Sequence, residues 1–193
     1  MNLQRSLLQS PIGTIVLVTR GRRRAPGGKS PERTIPQEPS LCALGFEDLE
    51  AELLHEVARR FGRAPLEDGP VPSALGARLA SYFAGDLTAL DAITVEAPGT
   101  PFQTRVWTAL RAIAPGATTS YSALAAAVGA PRAVRAVGSA NARNLLPLVI
   151  PCHRVIRSDG SLCGYAGGLA RKEWLLVHER ARADRPRAAS LPS

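Results

Sequence analysis

Residues 120–143 read SYSALAAAVGAPRAVRAVGSANAR, and they predict two short helices joined by a tight turn. Ser120 is a suitable cap for the first helix, and the Gly-Ala-Pro break at 129–131 would separate it from the second. Two short helices across a glycine-containing turn are typical of a helix-turn-helix unit. The arginines offered by the second helix would be Arg132, Arg135 and Arg143. Alanine-rich helix pairs also build ordinary cores, so the pattern alone leaves both interpretations open.

The segment that follows, LLPLVIPCHRVIRSDG at 145–160, places Cys152 directly before His153. The thiolate is the nucleophilic form, and an ordinary thiol pKa of about 8.5 leaves only a few per cent ionised at neutral pH. His153 could take the thiol proton, directly or through a water. Because Pro147 and Pro151 interrupt regular pairing, we expect a buried strand that breaks into a turn at the cysteine.

A histidine base needs a neighbour that fixes its orientation. Residues 101–193 contain only four acids, which are Asp159, Glu173, Glu179 and Asp184. Glu179 ends the predicted amphipathic helix LARKEWLLVHE and is the leading partner. Two alternatives stay open: a buried structural cysteine beside a capping histidine, and a zinc site. The zinc ligands would be Cys152, His153, Cys163 and His178, whose spacing matches none of the usual ligand patterns.

The first hundred residues predict an α/β arrangement. SPIGTIVLV at 10–18 indicates a strand, and an Arg-, Pro- and Gly-rich loop follows at about 20–40. FEDLEAELLHEVARRFG at 46–62 and PSALGARLASYFAG at 72–85 have the spacing of helices, the second closed by Gly85. FQTRVWTALRAIAPG at 102–116 predicts a further helix, and we place a domain boundary near residue 98.

Composition narrows the class of protein. The 193 residues carry a net charge of +8, and the excess lies in the second half: residues 1–100 hold 11 Lys/Arg and 12 Asp/Glu, residues 101–193 hold 13 and 4. A basic half favours a polyanion such as nucleic acid, although a coding bias toward arginine would look the same. Three cysteines without paired spacing predict reduced thiols, and no long apolar run or signal-like start is present, so we expect a cytoplasmic protein.

The stretch RAVGSANARNLLPLVIPCHRVIRSDGSLCGYAGGLARKEWLLVHE at 135–179 closely resembles the O6-alkylguanine-DNA alkyltransferases, whose hallmark is the Pro-Cys-His-Arg-Val pentapeptide. The resemblance covers about residues 98–180, with weaker similarity in SPIG and YFAGDL. It implies a ribonuclease H-like α/β domain at 1–97, then a mainly helical domain at 98–180 with a winged-helix-like helix-turn-helix. A basic tail, expected to be disordered, would occupy 181–193.

The resemblance also implies the chemistry, which is irreversible transfer of an alkyl group from O6-alkylguanine, and O4-alkylthymine, to Cys152 after the nucleotide is flipped out of the duplex. His153 would relay the thiol proton, Glu179 would orient His153, and Asn144 would hold the turn. Implied substrate contacts are Tyr121, Val155, Tyr165, Ala166 and Lys172. Implied DNA contacts, from the minor groove, are Arg132, Tyr121, Ser139 and Arg135, the last as a finger that enters the base stack. We expect a monomer that needs no cofactor. No metal site is expected either, since the first half offers only Cys42 and His55 as soft metal ligands.

Two features depart from the family pattern. Asn144 is followed by Leu145, where the family often has proline, and the loop at about 20–40 is longer than usual. Competing functions are a damage sensor that flips the base without accepting the alkyl group, a transcription regulator that uses the helix pair, and a Cys-His hydrolase. Cys152 speaks against the sensor, whose relatives carry another residue at that position.

Overall fold

The computed structural model describes residues 2–21 and 38–183. Most of the predicted basic loop and the tail from residue 184 therefore lie outside the described residues. The last helix includes residues 181–183, which had been assigned to the tail.

The first half contains a four-stranded mixed sheet. Its strands are β1 (Leu3–Leu8), β2 (Ile15–Arg20), β3 (Ser40–Phe46) and β4 (Leu66–Asp68). Their order is β3-β2-β1-β4, with β1, β2 and β3 antiparallel and β4 parallel to β1. Beyond β3 the chain returns at Val95, which forms a bridge with Leu41. Of these strands, the sequence pattern indicated only β2.

The central strands are apolar almost throughout because both faces of the sheet are covered. Val16 and Val18 pack in the cluster that includes Leu53 and Val57 of α1 (Glu50–Phe61). Ile15 and the other inward residues of the opposite face join a larger cluster that continues into the second half of the chain. The two halves thus share one apolar core, and the boundary near residue 98 stays a prediction.

The first helices differ slightly from their predicted bounds. Phe46 pairs with Ile15 and ends β3, so the predicted helix starts later, through a 3-10 helix (Glu47–Leu49) that leads into α1. The second helix, α2 (Ser73–Ala84), ends as predicted at Gly85, whose φ of +113° suits a residue without a Cβ.

The second half is mainly helical. It contains α3 (Pro101–Arg111), α4 (Tyr121–Ala127), α5 (Val134–Ala142), α6 (Leu169–Ala183) and a parallel pair, β5 (Thr119–Ser120) with β6 (Val155–Ile156). Ser120 caps α4 by accepting from the Ala123 amide, as expected. The predicted start of α5 at Arg132 is two residues early, because the Ala133 amide is used in a turn to the Ala130 carbonyl.

The expected strand before Cys152 is absent from this part of the described chain. Residues 147–150 form turns, and the Ile150 amide donates to the Leu146 carbonyl at 2.8 Å. Pro147 and Pro151 explain the difference, since each lacks the amide that a ladder requires. No helix among the residues described is both long and apolar enough to cross a membrane.

Candidate active site

Cys152 begins a 3-10 helix (Cys152–Arg154) in the second half of the chain, and it is almost fully buried. The preceding turn is fixed by Asn144, whose Nδ2 donates to the Ile150 carbonyl at 2.8 Å and whose Oδ1 accepts from the Leu146 amide at 2.9 Å. Within that turn Leu148 has a φ of +75°, a conformation that non-glycine residues adopt at a cost. The two bonds of Asn144 hold the strained loop in place.

His153 and Glu179 meet inside the protein. The imidazole Nε2 lies 2.9 Å from Oε1 of Glu179, and both side chains are fully buried. The 3-10 helix allows His153 to make this contact next to Cys152. In a regular strand the two consecutive side chains would point to opposite faces, whereas in a 3-10 helix they diverge by less. Among the three acids of the second half that the structure describes, Asp159, Glu173 and Glu179, the last is the one that contacts His153.

Glu179 also accepts hydrogen bonds from three other residues. Arg154 donates through Nε to Oε2 at 2.9 Å and through Nη2 to Oε1 at 2.8 Å. Tyr82 of α2 donates its hydroxyl to Oε1 at 2.8 Å, and the Gly116 amide donates to Oε2 at 3.2 Å. Burial alone would raise the pKa of this carboxyl, but the bonds from His153 and Arg154 outweigh it and hold the pKa far below its ordinary value.

The ionised carboxylate determines which ring nitrogen of His153 carries the hydrogen. Glu179 can only accept, so Nε2 is the donor and Nδ1 has a free lone pair. Nδ1 is buried and has no hydrogen-bond partner among the described residues. Burial lowers the pKa of His153, with Glu179 acting in the opposite direction, so the ring is neutral near pH 7. His153 is therefore set up as a proton acceptor at Nδ1.

The thiol itself is protonated at rest. Burial raises the pKa of Cys152 to about 11, although the Asn144 amide and the Lys172 ammonium act in the opposite direction. A buried neutral thiol is a weak nucleophile, so reaction requires that its proton leave as the new bond forms. Cys152 and His153 are thus both neutral near pH 7.

Lys172 of α6 holds the loop that follows the nucleophile. Its Nζ donates to the Val155 carbonyl at 2.6 Å and to the Cys163 carbonyl at 2.7 Å, and the side chain is fully buried. Burial lowers the pKa of this ammonium. The Val155 carbonyl, predicted to receive a substrate amino group, is therefore already engaged by Lys172 and has one lone pair left.

Three more of the predicted substrate contacts are Tyr121, Tyr165 and Ala166. The Tyr165 ring stands edge-on to His153 with centroids 6.4 Å apart, and its buried hydroxyl has no partner within the described parts of the chain. Ala166 is exposed beside it, and Tyr121 is half-buried at the start of α4. Burial, followed by the Cys163 thiol, raises the pKa of Tyr121 well above its ordinary value, so its hydroxyl is a donor at neutral pH.

Of the predicted DNA-contacting residues, Tyr121 begins α4, and the other three lie on α5 or just before it. Arg132 and Arg135 are exposed, and half-buried Ser139 accepts a hydrogen bond from Arg143. The helix is anchored by Trp107 of α3, whose Nε1 donates to the Ala140 carbonyl at 2.9 Å. This face of the second half therefore carries exposed cationic side chains, Arg135 on a firmly held helix and Arg132 just before it.

Sequence reasoning missed two of the residues that complete the site. Tyr82 lies 97 residues from Glu179, and no spacing or motif indicated the contact. Arg154 is not among the predicted site residues, yet it forms a two-bond pair with Glu179. Its position directly after a Cys-His pair was the available signal, because a buried carboxylate needs a compensating cation.

Comparison with known proteins identifies the family. Residues 101–181 match the model of the 6-O-methylguanine DNA methyltransferase, DNA binding domain. The methylated-DNA–protein-cysteine methyltransferase of Salmonella typhimurium is 55% identical over 108 residues, which are 56% of this chain and 63% of that protein. The Mycobacterium leprae protein of the same name is 50% identical over 121 residues, 63% of this chain and 72% of that protein.

A solved structure extends the similarity to both halves. Mycobacterium tuberculosis OGT, determined in complex with DNA, superimposes with a TM-score of 0.71 at 34% identity, covering 93% of this chain and 94% of that one. The alignment with the Salmonella relative spans just under two thirds of that protein's length. The identity and coverage of the Mycobacterium leprae and Mycobacterium tuberculosis proteins show that the chain belongs to the methylated-DNA–protein-cysteine methyltransferase family.

Proposed function

We propose that the protein repairs DNA by transferring the alkyl group of O6-alkylguanine, and to a lesser extent O4-alkylthymine, to Sγ of Cys152. The observation that carries the proposal is the buried Cys152, followed on the same turn by His153 bonded to Glu179. The names of the Salmonella and Mycobacterium relatives support it independently. Each molecule would act once, because no described residue is placed to remove the alkyl group from sulfur.

The reaction is a displacement at the alkyl carbon. The Sγ–carbon bond forms as the carbon–O6 bond breaks, and the electron pair of the broken bond stays on the guanine. The thiol proton passes to Nδ1 of His153, directly or through a water, and Glu179 stabilises the imidazolium that results. Tyr121 would donate toward N3 of the departing guanine, which offsets its developing negative charge.

The remaining pocket residues would bind the extruded base. The carbonyls of Cys152 and Val155 would accept from the exocyclic amino group, with Lys172 fixing the Val155 carbonyl. Tyr165 and Ala166 would cover the base from the other side. In this arrangement Asn144 contacts no substrate and acts by holding the turn.

We infer that α4 and α5 form a helix-turn-helix that binds double-stranded DNA from the minor groove. A buried O6 atom cannot reach a thiol inside a duplex, so the nucleotide must be rotated out at a cost of a few kcal/mol. Exposed Arg135 would enter the stack in its place, and Arg132 and Ser139 would contact the backbone. The small residues of α5 suit close approach to a narrow groove, and the Mycobacterium tuberculosis relative was solved with DNA.

The finer description of the fold belongs to the same proposal. The sheet order and the helix on its outer face suit a ribonuclease H-like domain at 1–97, and the helix pair with its short parallel strands suits a winged-helix-like domain at 98–180. We expect a cytoplasmic monomer that needs no cofactor.

The decisive experiment is labelling with a defined lesion. Protein is incubated with a duplex that contains one O6-methylguanine, digested and analysed by mass spectrometry. The peptide with Cys152 should gain one methyl group, in a single burst equal to the protein present, while the Cys163 peptide stays unmodified. Repeated turnover would indicate a hydrolase, and binding to the lesion without methylation would indicate a sensor.

A further inference from the structure

Tyr82 connects the first half of the protein to the proton-accepting pair. Its side chain is fully buried, and its hydroxyl donates to Oε1 of Glu179 at 2.8 Å. The same oxygen lies 2.9 Å from Nε2 of His153. Among the hydrogen bonds of the described residues, this is the one through which a side chain of the first hundred residues reaches Glu179.

The backbone of Tyr82 holds the neighbouring residue of α6 as well. The Tyr82 carbonyl accepts from Nε2 of His178 at 3.0 Å, and the His178 ring stacks on Trp174 with centroids 4.8 Å apart. Phe83, the next residue of α2, packs against Trp174 at 6.0 Å. One turn of α2 therefore fixes the segment of α6 that carries Glu179.

We propose that Tyr82 is a positioning residue that sets how strongly Glu179 binds the Nε2 hydrogen of His153, and so sets the acid limit of alkyl transfer. The kinetic part of this inference rests on the proposed function. The hydrogen bonds and ring contacts of Tyr82 with other described residues involve Glu179, His178 and Phe83, none of which is assigned to the substrate, and Tyr82 acts through the carboxylate.

Three donors share one oxygen of Glu179. Oε1 of Glu179 accepts from Nη2 of Arg154, from Tyr82 and from His153. Each donor withdraws negative charge from this oxygen. Loss of the Tyr82 hydroxyl therefore leaves more negative charge on the oxygen to interact with the imidazole. The His153 cation is then favoured, and protonation of Nδ1 occurs at higher pH. Because a protonated Nδ1 cannot accept the thiol proton, transfer would stop earlier as pH falls.

The other groups that act on His153 are unchanged by substitution at position 82. The charged and titratable neighbours of the imidazole are Glu179 and Lys172 of α6, Arg154 and Cys152 of its own 3-10 helix, and Tyr165 of the following loop. Arg154 and Lys172 disfavour the cation, and Glu179 favours it. The direction of the effect therefore depends on the Glu179 oxygen alone.

The test is Tyr82→Phe, which removes the hydroxyl and keeps the ring in the core. Ring nuclei of His153 are followed by NMR in protein without DNA. The Nε2 hydrogen should move downfield at neutral pH, and the titration midpoint should rise by about half to one pH unit. The methyl-transfer rate should change little at neutral pH and fall severalfold in the acid range, because its acidic inflection is displaced upward by the same amount. An unchanged ring spectrum together with an unchanged inflection would refute the inference.

Phe83→Leu is the matched control. It disturbs the packing of α2 against Trp174 and leaves the bond from Tyr82 to Glu179 in place, so it should lower thermal stability without moving either pH measurement. Equal shifts in both variants would assign the effect to packing and overturn the positioning role. If the wild-type protein accepts no methyl group, the proposed function fails, and the NMR titration still decides the inference.

Discussion

Arg154 and Glu179 form a fork-to-fork pair across 25 residues of sequence, with Nε to Oε2 at 2.9 Å and Nη2 to Oε1 at 2.8 Å. The remaining terminal nitrogen, Nη1, donates to the Ile113 carbonyl at 2.5 Å. The arginine thus neutralises a fully buried carboxylate and also fastens the end of α3 to it. A side chain next to the nucleophile therefore serves both stability and the orientation of His153.

Replacement of Arg154 by methionine should destabilise the protein strongly. The change keeps much of the apolar stem but leaves Glu179 as a buried charge without its cation, which costs about 3 to 5 kcal/mol. Urea unfolding monitored by tryptophan fluorescence measures the loss. Arg154→Lys should lose less, because the ammonium keeps the charge without the planar fork. Equal stability of the two variants would contradict the geometric role of the guanidinium.

Stability should decrease as the pH falls below about 6.5. The folded-state pKa of His153 is lowered by burial, so the unfolded chain takes up a proton first and is favoured as pH drops below the ordinary histidine value. Glu179 acts in the same direction at lower pH, since its folded pKa is depressed and its contribution is lost as pH falls below the ordinary value of about 4.3. Unfolding free energies measured from pH 8 to pH 4 report the slope. His55→Gln, at an exposed position of α1, should leave that slope unchanged.

Arg135→Ala should slow methyl transfer from duplex DNA and spare transfer from the free base. The arginine would act only where a nucleotide must be rotated out of a stack, so about a tenfold or larger loss is expected on duplex alone. Single-turnover kinetics on a lesion duplex and on free O6-benzylguanine separate the two cases. Arg180→Ala removes an exposed arginine of α6 and serves as the charge control. Similar losses on both substrates would argue against a finger.

Asn144→Ala should loosen the turn that carries the nucleophile. The change leaves the Ile150 carbonyl and the Leu146 amide without their partner, at a cost of roughly 2 to 4 kcal/mol for the two groups. The transfer rate should fall as well, because Cys152 is held by the same loop. Asn144→Asp keeps the acceptor for Leu146 and should retain part of the stability. A variant with normal stability and rate would show that the prolines alone define the turn.

The sequence indicated the helical elements of the second half because each has local signals. Ser120 caps one helix, and the apolar spacing of 169–179 marks another. The first half was harder, since β1 (LQRSLL) lacks strict alternation of polar and apolar residues, and the almost uninterrupted apolar residues of β3 show no alternation when both faces are covered. The bond from Tyr82 could not be foreseen, because it depends on how α2 lies against α6 and has no trace in spacing.

The buried and protonated state of Cys152 affects how long its thiol stays unmodified in solution. Under the proposed single transfer, a molecule whose Cys152 sulfur reacts first with another electrophile or an oxidant can no longer accept an alkyl group. With 4% of the residue exposed and the pKa of the thiol raised to about 11, Cys152 presents almost no thiolate to dissolved reagents. The burial that makes the resting sulfur a poor nucleophile therefore also protects it from side reactions. The closed site favours a long lifetime of the reactive thiol over a high intrinsic reactivity.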